Sequence, residues 1–398
     1  MSAITIHASR ILTPEDEISD GVIVVEGGRI TGLGHRDEMR LPPGAVDYVA
    51  TGMTVVPGFV DVHIHGAGGH DFMEATPRAL DRITSAVARH GTTSLLATTV
   101  SAPIDETCRS LAGMASYIRA HEKIEEDAEG GSNARGLAAE ILGVHLEGPF
   151  ISKVRRGVHP SDSLAAPSME TFQKLVDAAD GLVNILTIAP ELPGALELIA
   201  AAVEAKIVAA IGHTDATYEQ TRAAIQAGAR HAVHFYNAMR PFAHRDPGVV
   251  GAILTDPEVT AEVIADLLHV AGPAIQVLIG TKGFDTVLLA SDGIAATGMP
   301  DGNYRLGNFE VSVKDGVARN SEGKLAGSTL TLDRALRNVV ALGVPLVSAL
   351  RMLTVLPARR LGVAGKKGII AVGADADLVA LTPDLRIAGV MTRGAGLT

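Results

Sequence analysis

The sequence has no tryptophan and only one cysteine, Cys108, among its 398 residues. A single thiol excludes a disulfide framework within the chain and is typical of a reducing compartment, so we expect a cytoplasmic protein. Aromatic platforms for base stacking are scarce, since there are 8 Phe and 5 Tyr. The chain carries 34 basic against 45 acidic residues, a net charge of -11. Both features argue against a nucleic-acid partner.

Long apolar runs are also missing. Hydrophobic residues make up 47% of the chain, enough for a large core, but Gly, Pro or charge interrupts every run. None approaches the roughly 20 residues that a membrane span needs. The first residues lack the basic and apolar regions of a secretory signal. We therefore expect no membrane association.

Glycine is abundant, with 43 residues, as expected where many strands and helices are joined by tight turns. Short apolar strands alternate with amphipathic helices through the middle of the chain. The eight predicted strands are Gly58–His65, Ser94–Thr99, Ile141–Leu146, Asn184–Ile188, Ile207–Ile211, His231–Phe235, Val259–Ala265 and Thr286–Ala290. The clearest helices are Pro77–His90, Met169–Ala179, Ala195–Ala205 and Tyr218–Ala227.

Eight βα units in about 290 residues predict an α/β fold, a (β/α)8 TIM-like barrel. A doubly wound sheet is the alternative, because a Gly-rich run, Gly66–Asp71, follows the first strand. That run lacks the third glycine of the dinucleotide-binding fingerprint, which favours the barrel.

Both ends of the chain are predicted to be β-structure. Residues 21–26 and 29–33 form a hairpin, and residues 368–372, 377–381 and 387–392 form further strands. Neither end alone has enough strands to bury a face. We therefore expect residues 1–56 and 358–398 to build one small β-sandwich domain beside a barrel of residues 57–357. Within the barrel, residues 301–327 predict a hairpin insertion, and residues 121–136 a surface loop.

Six polar residues stand at or near the ends of the predicted strands. His63 and His65 are two apart on the first strand, so their side chains share a face. Single ligand-type residues then follow at the third, fifth, sixth and eighth strands: Glu147, His213, His234 and Asp292. In a barrel all six converge on the C-terminal rim, where such enzymes carry their chemistry.

Imidazoles and carboxylates suit a divalent metal, zinc before iron, cobalt or manganese. Such an ion lowers the pKa of a bound water to roughly 7. Asp292 could take the water's proton and pass it to a leaving amine. A lone strand histidine is more often structural than a ligand, but six convergent positions favour a metal site. His145, two residues before Glu147, either supports a ligand or is structural.

At these residues the sequence resembles the N-acetylglucosamine-6-phosphate deacetylases of the amidohydrolase superfamily. The similarity runs in family order from about residue 55 to residue 330. The matching stretches are residues 57–66, 145–150, 211–214, 234–239, 291–293, 298–302 and 325–328. The Glu-Gly-Pro motif at residues 147–149 and the Asn-Ala-Met motif at residues 237–239 are more specific than His-x-His.

The resemblance implies a ligand set and a catalytic group. Glu147, His213 and His234 would hold the principal metal. The His63 and His65 pair would hold a second ion, with Glu147 bridging the two. Some members lack this pair and keep one metal, so one or two ions per subunit are expected here. Asp292 would be the catalytic acid and base.

The resemblance also implies substrate contacts through His159, Asn237, Ala238, Arg245 and His269. His159 would contact the sugar or its amide, and His269 would polarise the acetyl carbonyl or hold the sugar. Arg245 would reach the phosphate in a neighbouring subunit, because a guanidinium matches phosphate geometry, and this requires a homodimer. Two leucines precede His269 where the family usually has Gly before Leu-His, so its placement is an expectation.

The expected reaction is hydrolysis of N-acetylglucosamine 6-phosphate to acetate and glucosamine 6-phosphate, in amino-sugar catabolism or cell-wall recycling. Three alternatives remain. One is the same chemistry on N-acetylgalactosamine 6-phosphate. The second is a cyclic-amide hydrolase or N-acyl-amino-acid deacylase, against which the Asn-Ala-Met motif and Arg245 argue. The third is a noncatalytic barrel, against which the filled ligand positions argue.

Overall fold

The structure is a computed structural model that describes residues 3–127 and 136–397. The chain begins with four strands, β1 (Ile4–Leu12), β2 (Glu17–Glu26), β3 (Arg29–His35) and β4 (Val46–Pro57). The predicted hairpin is confirmed, since β2 pairs antiparallel with β3. One residue, Gly58, separates the end of β4 from the first strand of the barrel.

Eight parallel strands confirm the barrel. The first is β5 (Phe59–Ile64), followed by a short hairpin of β6 (Gly66–Ala67) and β7 (His70–Asp71). The other seven are β8 (Thr92–Thr98), β9 (Glu140–Glu147), β10 (Val183–Ile188), β11 (Val208–Ile211), β12 (His231–Ala232), β13 (Thr260–Ile264) and β14 (Val287–Ala290). Each overlaps its predicted strand, and their largely buried faces explain their continuous apolar sequences.

The barrel closes between its first and last strands. The backbone N–H of Asp292 donates to the carbonyl of His63 at 2.8 Å, and that of His65 donates to the carbonyl of Gly293 at 2.8 Å. Closure excludes the doubly wound alternative. It also brings Asp292 beside the two histidines of the first strand, 227 residues earlier in sequence at the nearest.

Helices surround the strands. They are α1 (Pro77–Ala88), α2 (Ile104–Asp127), α3 (Met169–Ala178), α4 (Ala195–Glu204), α5 (Tyr218–Gln226), α6 (Gly248–Thr255), α7 (Gly272–Lys282), α8 (Leu332–Ala341), α9 (Leu346–Leu353) and α10 (Val355–Arg360). Short 3-10 turns occupy residues 36–38, 72–74, 161–163 and 284–286. Side-chain caps from Thr76, Ser168 and Thr217 start α1, α3 and α5, where the sequence pattern begins each helix. None of the described helices combines the length and apolar character that crossing a membrane requires.

The predicted surface loop at residues 121–136 is wrong in its first part. Residues 121–127 continue α2, because Glu and Lys favour a helix even where no apolar stripe marks it. The rest of that prediction, residues 128–135, lies outside the described residues.

The predicted insertion is confirmed as β-structure after the last barrel strand. It forms an antiparallel sheet of β15 (Gly302–Leu306), β16 (Phe309–Lys314) and β17 (Val317–Arg319), one strand more than a hairpin. Its apolar face packs on Val100 and Ile294, next to the rim of the barrel.

The chain ends with β18 (Leu378–Leu381), β19 (Ile387–Thr392) and β20 (Ala395–Gly396). These strands join the N-terminal ones in a single sheet with the order β20-β19-β18-β4-β1-β2-β3, which confirms the small β domain built from both termini. Its core is separate from that of the barrel and includes Ile6, Ile23 and Met391. We propose residues 1–56 with 358–398, and residues 57–357, as the two domains.

The predicted strand at residues 368–372 is wrong. Gly368 lies in a turn with a positive φ of 68°, and a side chain there would collide with the backbone of Thr354. Ile369 and Ile370 instead pack their side chains against the core of the terminal domain. Burial, without strand pairing, therefore accounts for this apolar run.

Candidate metal centre

The six predicted ligands lie together at the C-terminal rim of the barrel. His63 belongs to β5, His65 follows it, and Glu147 is the last residue of β9. His213, His234 and Asp292 follow β11, β12 and β14, each with a positive φ, of 46°, 29° and 49°. Such backbone angles are rare away from glycine, and they cluster where a fold aims side chains into a site.

The buried carboxylate of Glu147 is the centre of the group. Its Oε1 lies 2.9 Å from Nε2 of His234, 3.1 Å from Nε2 of His213 and 3.3 Å from Nε2 of His63. Its Oε2 lies 3.2 Å from Nε2 of His65. One carboxylate therefore faces four of the predicted imidazole ligands and can bridge two positions.

The contact made by Nδ1, the outer nitrogen of His213, fixes the tautomer of its neutral ring. Nδ1 lies 2.9 Å from the carbonyl oxygen of Arg155 and must donate to it. A neutral ring then presents a lone pair at Nε2, which lies only 3.0 Å from Nε2 of His234. Two imidazole nitrogens and a carboxylate at these separations need a cation or an added proton between them. The donor set therefore fits a divalent ion.

A second group of donors adjoins the first. Nε2 of His65 lies 3.2 Å from Oδ1 of Asp292, and Nε2 of His63 lies 3.7 Å from the same oxygen. Nε2 of His63 is fully buried and has no hydrogen-bond partner among the described residues. A buried polar atom without a partner is unusual and marks a place where a ligand is expected. His63, His65 and Asp292 can jointly hold an ion.

The charges at the rim favour the ionised carboxylates. Burial alone would raise the pKa of Glu147, but His63 and His213 hold it well below its usual value. Burial also opposes ionisation of Asp292, whereas its hydrogen bond with His65 lowers its pKa. Burial would lower the pKa of His65, but its contacts with Asp292 and Glu147 raise that pKa to about 9. The ionised carboxylates of Glu147 and Asp292 create a negative potential at the rim. This potential attracts protons in the absence of an ion and would equally attract a metal cation.

His159 is turned so that it can donate into the site. The backbone N–H of Ser101 donates to its Nδ1 at 3.1 Å, so a neutral ring carries its proton on Nε2. That Nε2 lies 3.2 Å from Oε2 of Glu147. Burial lowers the pKa of His159 to about 4, which keeps the ring neutral. Although it stands near Glu147 and His213, His159 is therefore a donor and not a free metal ligand.

A cavity of about 160 Å³ opens onto this centre. Its lining contains four of the five predicted substrate residues: His159, Asn237, Ala238 and His269. Val100, Val158, Leu306 and Leu325 add apolar walls, two of them through the β15–β17 insertion. The fifth predicted residue, Arg245, is exposed on the loop before α6 and does not belong to this lining.

His269 is held by a carboxylate three residues before it. Its Nδ1 lies 2.7 Å from Oδ2 of Asp266, whose other oxygen accepts from the backbone N–H groups of Leu268 and His269. Burial lowers the pKa of His269, but the Asp266 contact outweighs it and raises that pKa above its ordinary value. Leu267 takes a positive φ of 67° in this turn, and the two leucines do not displace His269 from the cavity.

Three supporting residues were not identified from the sequence: Ser101, Asp266 and Glu262. Glu262 is fully buried in β13 between His63 and His231. An acidic residue inside an apolar strand was the available signal, because a buried carboxylate needs partners.

His145 is also buried, with its ring 4.5 Å from that of His63 and its Nε2 2.8 Å from the hydroxyl of Thr187. It therefore packs behind a predicted ligand.

The chain is similar to known proteins over nearly its whole length. A model of the amidohydrolase family matches residues 54–395. The N-acetylglucosamine-6-phosphate deacetylase of Vibrio furnissii is 38% identical over 98% of this chain and 93% of its own. The N-acetylgalactosamine-6-phosphate deacetylase of Escherichia coli O157:H7 is 35% identical, over 98% of both chains.

Among solved structures, a mutant N-acetyl-D-glucosamine-6-phosphate deacetylase from Mycobacterium smegmatis superimposes with a TM-score of 0.90. It is 39% identical in sequence, both chains are covered completely, and its structure is a complex with N-acetyl-D-glucosamine-6-phosphate. The similarity therefore includes the terminal β domain as well as the barrel.

Proposed function

Because the chain belongs to the amidohydrolase family and, within it, to the N-acetylglucosamine-6-phosphate deacetylases, we propose that it hydrolyses the acetamide of N-acetylglucosamine 6-phosphate. The products are acetate and glucosamine 6-phosphate, as amino-sugar catabolism and cell-wall recycling both require. The observation that carries the proposal is the buried carboxylate of Glu147, which faces the four predicted imidazole ligands beside a cavity that also contains Asp292.

Glu147, His213 and His234 would hold the principal ion, and His63 with His65 a second one. Zinc suits this mixture of nitrogen and oxygen donors best, and iron, cobalt or manganese are the alternatives. When bound, a divalent ion supplies a Lewis acid that polarises the amide carbonyl and lowers the pKa of a water molecule.

Asp292 would carry the proton. Its carboxylate is at the cavity wall, and its lowered pKa leaves it ionised and able to accept a proton at neutral pH. It would take the proton of the attacking water and deliver it to the nitrogen of the leaving amine. The contact between Oδ1 of Asp292 and Nε2 of His65, at 3.2 Å, would hold the carboxylate in place for both transfers.

Two histidines would bind the substrate. The N–H of His159 at Nε2 would donate to the sugar or its amide, because Ser101 fixes the proton on that nitrogen. His269, whose raised pKa favours the protonated ring, would donate to the acetyl oxygen or to the sugar. Such fixed donors stabilise negative charge that develops on a carbonyl oxygen during attack. Asn237 and Ala238 would complete the sugar contacts.

Arg245 would bind the 6-phosphate of a substrate in a neighbouring subunit of a homodimer. Its exposure and its place outside the cavity lining of its own chain support this assignment. A guanidinium can bind phosphate through two parallel hydrogen bonds.

The epimer N-acetylgalactosamine 6-phosphate is the second candidate substrate. It is favoured by the Escherichia coli relative, whose similarity covers 98% of both chains. The two sugars differ only in the orientation of one hydroxyl group, so contacts at the cavity wall decide between them.

A panel of acetylated substrates tests the proposal. Acetate release should be fastest, as kcat/KM, with N-acetylglucosamine 6-phosphate, slower with its galacto epimer, and slowest with the two unphosphorylated sugars. Faster release from the galacto epimer would favour the second candidate. Equal rates with and without phosphate would contradict the role of Arg245, and no release from any sugar would contradict the function.

A further inference from the structure

Glu262 lies in the middle of β13, and its side chain is fully buried inside the barrel. Both of its oxygens are engaged. Oε2 lies 3.0 Å from Nδ1 of His63, and Oε1 lies 2.6 Å from Nε2 of His231. The backbone N–H of His234 also donates to Oε2, at 3.4 Å. The reaction proposed above uses Glu262 in no step.

An ionised carboxylate can only accept hydrogen bonds, so both facing imidazole nitrogens must carry protons. In the neutral ring, which is the form that can bind a metal, this places the proton of His63 on Nδ1 and leaves the lone pair on Nε2. That lone pair faces Oε1 of Glu147 at 3.3 Å and Oδ1 of Asp292 at 3.7 Å. Glu262 therefore selects the tautomer of His63 that can coordinate an ion.

The same oxygen of Glu262 also contacts the backbone of His234. His63 and His234 belong, with Glu147, to one group of possible metal ligands, and His63 also belongs to a second group with His65 and Asp292. Oε2 therefore contacts the ring of His63 and the backbone of His234 from inside the barrel.

The stability of the fold does not explain why this carboxylate is buried. Removing a charge from water is unfavourable, and well-packed apolar residues often replace buried ion pairs without loss of stability. A carboxylate that accepts the outer N–H of a ligating histidine, in contrast, orients the ring and strengthens its binding to a metal.

We propose that Glu262 is a positioning residue, which fixes the tautomer and orientation of His63 and so determines the affinity of the centre for a divalent metal. This inference rests on the metal centre of the proposed function. It assigns Glu262 no contact with the substrate.

The variant Glu262→Gln tests it. A glutamine at this position offers one acceptor and one NH2 donor, so either His63 or His231 would face a donor where it needs an acceptor. If the glutamine NH2 faces His63, the proton of that ring moves to Nε2, where the ion should bind. We expect the affinity of chelator-treated protein for Zn²⁺ or Co²⁺ to fall about 10- to 100-fold at the site that includes His63.

Two further variants separate positioning from general damage. In a His63→Asn background, Glu262→Gln should change the remaining metal affinity less than about twofold, because residues that act through one another are not additive. Asp333→Asn is the matched control. It alters another buried carboxylate, whose partners are His90 at 3.5 Å and Arg337 at 2.9 Å and not a predicted ligand. Its metal affinity should equal that of the wild type.

Nitrogen NMR spectra of the histidines in metal-free protein give a second readout. The wild type should show His63 protonated at Nδ1, and Glu262→Gln should lose that signal or shift it. Unchanged metal binding together with an unchanged His63 tautomer would overturn the inference, as would additive effects in the double variant. If the wild type itself bound no ion, the proposed function would fail, while the tautomer comparison would still decide the role of Glu262.

Discussion

The Nε2 atoms of His213 and His234 lie 3.0 Å apart, and Oε1 of Glu147 lies within 3.1 Å of both. Since the other nitrogen of His213 donates to the carbonyl of Arg155, its inner nitrogen presents a lone pair in the neutral ring. Without a cation or a proton between them these atoms would repel one another. The arrangement explains why we place the principal ion at these three residues.

Substitution of Glu147 should therefore affect metal content more than substitution of either histidine of the first strand. Glu147→Gln removes the shared carboxylate, and we expect dialysed protein to retain less than a tenth of the bound metal. His65→Asn should lose only the second ion. Metal analysis beside a protein assay distinguishes the two, and full metal content in Glu147→Gln would contradict the assignment.

Asp292→Asn should fold and bind the principal ion as the wild type does. Without a group to carry the proton, its kcat for acetate release should fall roughly 10²- to 10⁴-fold. Asp315→Asn, at an exposed turn of the insertion, is the control and should retain wild-type activity. The role fails if Asp292→Asn turns over at the wild-type rate.

Arg245→Met should affect only substrates that carry a phosphate. Loss of a charge-assisted contact corresponds to about 1.5–3 kcal/mol, which raises KM about 10- to 150-fold. The unphosphorylated sugar should react at an unchanged rate. The control, Arg82→Met, changes an exposed arginine on α1. Mixed dimers that pair an Arg245→Met subunit with an Asp292→Asn subunit should regain some activity. The first subunit supplies an intact Asp292 and the second an intact Arg245. No regain would contradict the proposal that Arg245 acts in the neighbouring subunit.

Gly148→Ala should disturb the site through the backbone. Gly148 has a φ of 83°, and an added Cβ would collide with Oγ of Ser101, the residue that fixes His159. Gly181→Ala is the matched control, since its φ is 71° but nothing lies within 4 Å. Strain alone should cost the control about 1 kcal/mol of unfolding free energy. The collision should add about 1–3 kcal/mol in Gly148→Ala. Equal losses in denaturant unfolding would contradict this reading.

The Asp266–His269 pair predicts a pH-dependent stability. Its contact lowers the pKa of Asp266 and raises that of His269. The contribution of His269 is therefore complete below its unfolded pKa of about 6.5 and disappears as pH rises through its higher folded pKa. The contribution of Asp266 is present above about 3.9. Asp266→Asn should cost about 1–3 kcal/mol near pH 5 to 6 and less at pH 9. A loss independent of pH in denaturant titrations would contradict the pairing.

The fold was largely predictable because its signals are local. Short apolar strands alternating with amphipathic helices predicted the eight strands of the barrel, and turn residues marked their ends. The predictions were wrong for two segments whose composition does not match their secondary structure. A polar Glu-Lys segment continues α2, and an apolar segment at residues 368–372 is buried without strand pairing.

Some residues of the candidate site could be predicted from the sequence, and others could not. His63, Glu147 and Asp292 could be identified because barrel topology brings strand ends together. Glu262 and Ser101 could not, because their roles depend on contacts across the closed barrel, 199 and 58 residues away in sequence. Only coordinates show which oxygen faces which nitrogen.

Metal restoration tests the central claim most directly. Chelator-treated protein should release no acetate from N-acetylglucosamine 6-phosphate. Stepwise addition of Zn²⁺ should restore the rate in proportion to the ion bound, with activity complete when the sites that include Glu147 are filled. Full activity in protein shown to be free of metal would contradict the claim, as would bound metal without acetate release.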